Sequence, residues 1–367
     1  METPTTMKAI RKVSAAAGPE ATRLEEVPRP VPGKGEVLLQ VLATAVCGTD
    51  KHIYNWDPGV SHNIQPPRTY GHEFCGLVAE PGPGVTGLAA GDYVSAEMHV
   101  VCGACRACRG GQRHACENTR ILGLHGEGCF AGYVKVPAAN VVRLPRSIPP
   151  RTGAFLDALG NAVHTTEYVR GLKGATVAVV GYGPIGAMCA AIAHHEGAER
   201  IFVLDVNPRS IDKAEAWKKA KGAQQVHILN SRLEADVIGR VRELNGGLVD
   251  AVFEMSGAER AVNQALALAR FGGHVALLGI PRDPRLVIDQ YSKDLIFKGL
   301  HVQAIIGRRM FETWERMLKL LSTGLDVSFV VTEEYPGLEH FHEGMAAFER
   351  GDALKVVFYP HGRVAAP

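Results

Sequence analysis

Cys102, Cys105, Cys108 and Cys116, in the run Cys-Gly-Ala-Cys-Arg-Ala-Cys-Arg-Gly-Gly-Gln-Arg-His-Ala-Cys, are the densest group of metal-ligating side chains in the sequence. Two-residue spacing lets successive thiolates turn back onto one point, and four sulfurs complete the tetrahedron that Zn²⁺ takes in closed sites. The glycines and small residues between them allow the tight turns such a knuckle needs. Two disulfides or an iron–sulfur cluster are the alternatives, but nothing in the sequence suggests the secreted origin that disulfides would need. The expectation is a structural zinc, which stabilises a fold and performs no reaction.

Chemistry has to come from elsewhere, and three clusters offer it. Cys47-Gly-Thr-Asp-Lys-His52 supplies a thiolate, a hydroxyl and an imidazole; Gly71-His-Glu73 an imidazole beside a carboxylate; and Phe155-Leu-Asp-Ala-Leu-Gly-Asn161 a second carboxylate, Asp157. Taken alone, each is as well explained by core packing, since a lone Cys is usually a small hydrophobe and a lone His a satisfied structural residue. Taken together, thiolate, imidazole and carboxylate are the three protein ligands an open zinc site requires, with a fourth position left for substrate. Glu73 and Asp157 are the two carboxylates on offer for such a site. Thr49, two residues after Cys47, can take a proton from a bound alcohol while passing on its own, and His52 can release it to solvent. His99, in Ala96-Glu-Met-His-Val100, either touches substrate or supports the zinc loop.

A second chemistry is written further on. The β-branched run Ala175–Val180 leads into Gly181-Tyr-Gly-Pro-Ile-Gly186 and then a small-residue helical stretch. There Gly181 permits the tight turn, Gly183 the approach of a pyrophosphate, and Gly186 close helix-to-strand packing, while the helix N-terminus presents free amides to phosphate. Another strand-like run ends at Asp205, nineteen residues past the last glycine. A carboxylate there accepts both ribose hydroxyls and repels a 2′-phosphate, which favours NAD over NADP.

These groups need scaffolds. Strand-like runs at 225–229, 248–254, 274–279 and 300–306, alternating with helical stretches such as 211–221 and 260–269, predict an α/β fold with a doubly wound parallel Rossmann sheet. The Gly- and Pro-rich first part, with short runs at 36–42, 73–79, 92–96 and 133–137, predicts a mostly β domain with long loops. At 367 residues two cores are expected, and a net charge of +2 gives no electrostatic case for nucleic acid or a membrane surface. Residues 174–193 carry no charge, but Gly181, Gly183, Pro184 and Gly186 interrupt them as a strand, turn and helix would, not a membrane span. With no secretory pattern at Met1–Lys12, a cytoplasmic location is expected.

The sequence resembles the zinc-containing medium-chain dehydrogenases, through Gly71-His-Glu73, the four-cysteine knuckle and Gly181–Gly186. Narrower similarity lies in Cys47–Asp57, Gly160–Thr165, Glu254–Ala258, Leu278–Pro281, Ile296–Leu300 and Met310–Trp314, and the resemblance runs from Met7 to about Val357. It implies a GroES-like catalytic domain carrying the structural zinc loop over 1–152, the Rossmann domain over 153–300, and a segment, 301–367, that returns to the catalytic domain. It also implies one catalytic and one structural zinc per subunit, with Cys47, His72 and Glu73 at the catalytic metal; Asp157 stands where relatives place a Cys, Glu or Asp, so either Glu73 or Asp157 is the direct third ligand and the other holds a water, orients a ligand or exchanges during turnover. NAD contacts fall at Gly181, Gly183, Ile185, Gly186, Asp205, Arg209, Leu278, Gly279, Ile280, Ile305 and Ile306. Two departures stand out: Ala158 follows Asp157 where the family usually has Pro, and Arg209 lies four residues past Asp205 instead of five. The narrower runs imply oxidation of the β-carbon hydroxyl of L-threonine to 2-amino-3-oxobutanoate, in a homotetramer whose product feeds a glycine-forming aminooxobutanoate CoA ligase. Oxidation of sorbitol or 2,3-butanediol by the same machinery is the alternative, and an inactive NAD-binding scaffold a remote one. Arg308 and Arg309 are candidates either for the substrate carboxylate or for an interface.

Overall fold

The computed structural model describes residues 4–61, 63–169, 171–281 and 283–363. They divide into one unit of residues 1–158 and 331–367 and a second of residues 159–330. The chain therefore returns to the first unit at Val331, thirty residues later than the expected boundary at 301. The intervening strand His301–Ala304 adds to the second unit's sheet, and the helix Glu312–Ser322 stays in that unit.

In the first unit the long strand Glu36–Ala45 is the organising element, and most of its side chains are buried. It pairs antiparallel with Glu73–Pro81, with Tyr133–Pro137 and with the late strand Lys355–Phe358, which in turn pairs parallel with Val331–Tyr335. Tyr93–Ala96 and Val141–Arg143 complete a seven-stranded sheet. One apolar cluster joins Val37, Leu39, Val41, Phe74, Val94, Val134 and Val136, the alternate residues of neighbouring strands that a half-buried pleat turns inward. A second gathers Ile53, Tyr70, Phe130, Phe341, Met345 and Phe358. Residues from beyond position 330 therefore help to fill this core.

The second unit is a six-stranded, all-parallel sheet. Its order is Val226–Asn230, Arg200–Asp205, Thr176–Val180, Val249–Glu254, Ala269–Leu277, His301–Ala304. The order reverses beside Thr176–Val180, as in doubly wound nucleotide folds. Val177, Ala178, Val179, Ile201, Phe202, Val203 and Leu204 are all buried, so these strands read as continuous apolar runs and not as alternation. The helix expected from 211 begins at Pro208, because the Asn207 side chain accepts the Arg209 N–H and Pro suits the first helical position. No helix among the described residues is long and apolar enough to cross a membrane.

Candidate active site

Strand register brings the reactive groups of the first unit together. Ala45 stands opposite Glu73 on one side and opposite Val357 on the other, so the chain just past Ala45 meets both neighbours at one end of the sheet. There the ligand atoms of Cys47, His72 and Glu73 all lie within 4.8 Å of one another. Among the described residues, Nε2 of the buried His72 has no hydrogen-bond partner, which a native core rarely tolerates without a ligand.

Two neighbours that the sequence reading left unassigned organise this trio. Asp50, fully buried, accepts the Cys47 N–H through Oδ2 at 2.9 Å and closes the first turn of helix Gly48–Tyr54, while its Oδ1 lies 3.6 Å from Nδ1 of His72. A carboxylate behind a ligating imidazole fixes the ring and raises its basicity. Lys355, on the opposite strand, donates to both Glu73 oxygens at 2.7 and 2.5 Å and to the Val46 carbonyl at 2.9 Å.

The electrostatics call for more positive charge. Burial works to lower the His72 pKa, but the carboxylate of Asp50 and the Cys47 sulfur outweigh it and lift it to about 10. Burial also works to lower Lys355, yet Glu73, Cys47 and Asp157 hold it above its ordinary value. One lysine thus faces Cys47, Asp50, Glu73 and the buried Asp157, and soft sulfur, imidazole and carboxylate donors in that balance suit Zn²⁺. Asp157, in the first turn of Leu156–Glu167, acts on Glu73 and His72 through its charge but is not one of the gathered trio.

Thr49 Oγ1 lies 3.9 Å from Cys47 Sγ, beside the gathered trio. His52 sits one turn further along the same helix and is half exposed, its Nδ1 2.6 Å from Asp57 Oδ2. Asp57, another residue that motif reading passed over, thereby orients the imidazole. His99 is buried with Nδ1 2.7 Å from Glu97, and Asn140 holds the carbonyls of both. Arg309 is paired with Glu167 at 2.9 Å, and Arg308 is fully buried beside Asn161.

The four-cysteine loop closes on itself. Sγ of Cys116 lies 3.5 Å from Cys102 and 3.9 Å from Cys105, and no pair forms a disulfide. Backbone N–H groups of Ala104 and Cys105 hold the Cys102 thiol down to about 6, whereas burial pushes Cys108 up to about 12. Four sulfurs in contact with such opposed tendencies all become thiolates only around a cation, which fits a structural zinc.

In the second unit the turn after Thr176–Val180 places Gly181 at φ 98° and Gly183 before the helix Pro184–His195. A Cβ at Gly186 would lie 2.0 Å from the Gly181 carbonyl oxygen, whereas one at Gly183 would meet no protein atom within 4 Å. Gly186 is thus demanded by the protein's own packing. The open space over Gly183 is what the backbone approach of a pyrophosphate would need, and Ile185 lies in the helix's first turn. Asp205 accepts the Tyr182 and Asn207 N–H groups at 2.6 and 2.8 Å and shares a cavity with Gly181, Ser231, Ser256, Arg260 and Gln264, four of which the sequence reading missed. Arg209 stands in the first turn of the helix after Asn207, and its N–H is used by that cap. Leu278, Gly279 and Ile280 follow Ala269–Leu277, and Ile305 and Ile306 follow His301–Ala304. They sit at the carboxyl ends of strands, where doubly wound sheets bind nucleotides. Gly183→Ala is expected to weaken NADH binding about tenfold or more with an unchanged melting temperature, by obstructing the backbone approach to pyrophosphate. Gly186→Ala is expected to lower both, which fluorescence titration of NADH and thermal unfolding would separate.

Residues 33–146 match the alcohol dehydrogenase GroES-like domain, and 184–323 the zinc-binding dehydrogenase domain. The chain belongs to the zinc-binding dehydrogenases, alcohol oxidoreductases that work with zinc and a nicotinamide dinucleotide. Over nearly its whole length it is similar to two L-threonine 3-dehydrogenases. That of Bacillus velezensis is 43% identical over 96% of this chain and 99% of its own, and that of Pyrococcus abyssi 41% identical over 96% and 98%. Among solved structures, the 2R,3R-butanediol dehydrogenase of Bacillus subtilis superposes with a TM-score of 0.84 at 27% identity, covering 96% of this chain and 99% of that one.

Proposed function

We propose that the protein oxidises the β-carbon hydroxyl of L-threonine with NAD⁺, giving 2-amino-3-oxobutanoate and NADH. The observation that carries the chemistry is the gathering of Cys47, His72 and Glu73 beside the Thr49 hydroxyl; the substrate follows from the full-length similarity to L-threonine 3-dehydrogenases. Bound zinc would supply Lewis acidity for a substrate hydroxyl, and bound NAD⁺ would supply the hydride acceptor. Cys47, His72 and Glu73 would hold the metal, with Asp50 orienting His72 and Lys355 fixing Glu73 while leaving carboxylate lone pairs for coordination. Asp157 adds the negative charge that balances the cations. Thr49 Oγ1 accepts the substrate's proton as its own passes outward, and His52, held by Asp57, delivers it to water.

The subunits are assigned to a homotetramer. In support, the edge strand His301–Ala304 is unpaired on one side among the described residues and exposed, with Phe297, Val302 and Ile306 also exposed nearby, a surface that proteins normally cover. A reducing, cytoplasmic setting suits eight unpaired cysteines. The product, a β-keto acid prone to losing CO₂, calls for a consuming step such as the glycine-forming CoA ligase.

The reading is tested by following NADH formation with zinc-loaded protein, NAD⁺ and L-threonine, sorbitol or 2,3-butanediol. A kcat/KM for threonine well above the other two is expected. Turnover confined to the polyol or the diol would overturn the substrate and leave the metal chemistry standing, and silence on all three would bring back the inactive scaffold.

A further inference from the structure

The strand Thr6–Lys12 ends on a lysine that is fully buried and forms no ion pair among the described residues. Its Nζ donates to the Tyr54 carbonyl at 3.0 Å and lies 5.5 Å from the centre of the Trp56 ring. Burying an ammonium without a carboxylate is costly, so these two contacts have to hold it. Tyr54 closes helix Gly48–Tyr54, the helix that carries Thr49 and His52. Its carbonyl is one of the terminal acceptors left without an intrahelical partner, and the Gly18 N–H shares it at 3.0 Å.

Trp56 has φ 54°, a left-handed conformation that bulky side chains rarely adopt and that persists only where the surroundings enforce it. Three anchors surround it: the Lys12 amine at its ring, its own N–H on the Ile53 carbonyl at 3.2 Å, and Asn55 Nδ2 on Glu349 at 2.6 Å. The turn it makes folds Asp57 back onto His52, with the Asp57 N–H on the His52 carbonyl at 2.9 Å and the carboxylate on the imidazole.

We propose that Lys12 is a positioning residue for proton release, holding through Trp56 the turn that places Asp57 on His52. This rests on the relay assigned above. Burial leaves the Lys12 amine at about 8, so its grip on the Trp56 ring weakens as the solution turns alkaline. The other titratable groups around the turn are accounted for. Tyr54 and His342 bond each other at 3.1 Å, Glu349 is on Asn55, and Arg68, on the neighbouring strand, lies 3.9 Å from Glu127.

The test uses Lys12→Met, Lys12→Arg, Trp56→Phe and His52→Gln. The fluorescence of Trp56, taken as the difference from Trp56→Phe, is expected to titrate with a midpoint near 8 in the parent protein and not to titrate in Lys12→Met. Lys12→Met is expected to lower kcat about tenfold, with KM within about twofold and zinc content unchanged. In a His52→Gln background the same change should have no further effect. Lys12→Arg, which keeps the charge, should retain kcat and hold it to more alkaline pH than the parent, and it carries the test alone if Lys12→Met does not fold. Unchanged kcat in Lys12→Met, an equal loss in the His52→Gln background, a Trp56 signal indifferent to Lys12, or an unmoved alkaline limb in Lys12→Arg would each overturn the proposal. Kinetics are run on whichever alcohol yields NADH, so a wrong substrate leaves this test intact, and the fluorescence needs no substrate.

Discussion

Lys355→Met should unfold at a markedly lower temperature and bind catalytic zinc weakly. The substitution leaves Glu73 buried without the cation that touches both its oxygens. Breaking a buried pair from one side typically costs about 3–5 kcal/mol, because the remaining charge is stranded. Loss of a residue that orients a ligand typically costs roughly 10–100-fold in metal affinity. Thermal unfolding and zinc titration read the two effects separately. The pH dependence has a definite sign: Lys355 is raised in the folded state, so its stabilisation is complete below the ordinary lysine value of about 10.4 and is lost as pH climbs through the folded value. The gap in stability between the parent and Lys355→Met should therefore close under strong alkali, and it should narrow in acid as well, because burial pushes Glu73 up to about 7 and a protonated Glu73 no longer pairs with the ammonium. Equal melting temperatures at neutral pH would show that Glu73 does not carry its charge in the folded protein.

Thr49→Val should lower kcat by about 10²–10⁴, with little change in KM for either substrate and with zinc retained. Valine keeps the shape and removes the hydroxyl, 3.9 Å from Cys47 Sγ, to which the proposed mechanism assigns the alcohol's proton. His52→Gln should cost less, because His52 is half exposed and water can take its place at the outer end of the path. Steady-state kinetics across pH, with metal content measured on the same samples, checks both. A Thr49→Val enzyme of near-normal kcat would remove Thr49 from the relay.

Much of the site is local in sequence and hence legible there. Cys47 to His52, Gly71 to Glu73, the four-cysteine loop and the glycine turn each place their reactive groups within a few residues, so spacing alone carries the geometry. The parallel sheet was equally readable, because strands covered on both faces leave unbroken apolar runs such as Thr176–Val180. Lys355 was not. Beside apolar Val356, Val357 and Phe358 it reads as the polar end of an ordinary strand, and only the pairing of Val357 with Ala45 reveals that it points at Glu73. Asp50 was hidden for a different reason. Three residues after Cys47 it looks like a helix-capping acid, and it does cap, but its second oxygen turns to His72, a contact set by strand pairing. Lys12 and Trp56 escaped because neither a buried lysine nor a left-handed tryptophan is marked by residue type. The strand His301–Ala304 was legible as the run 300–306, but nothing in the residue pattern tied the following helix Glu312–Ser322 to the same unit, and that helix carries the chain on to Val330 before it returns.

The discontinuous first unit has a consequence for how the protein is made. Residues 159–330 are one continuous stretch, so the six-stranded sheet can assemble as soon as it leaves the ribosome. The strand Glu36–Ala45 is synthesised far earlier, yet one side of it stays open at the Ala45 end until Lys355–Phe358 arrives more than three hundred residues later. Over that interval Cys47 and His72 already exist, but the cation that settles Glu73 does not. The nascent chain thus carries an exposed strand edge and an unbalanced acidic pocket until Lys355–Phe358 emerges, and that one strand closes both at once.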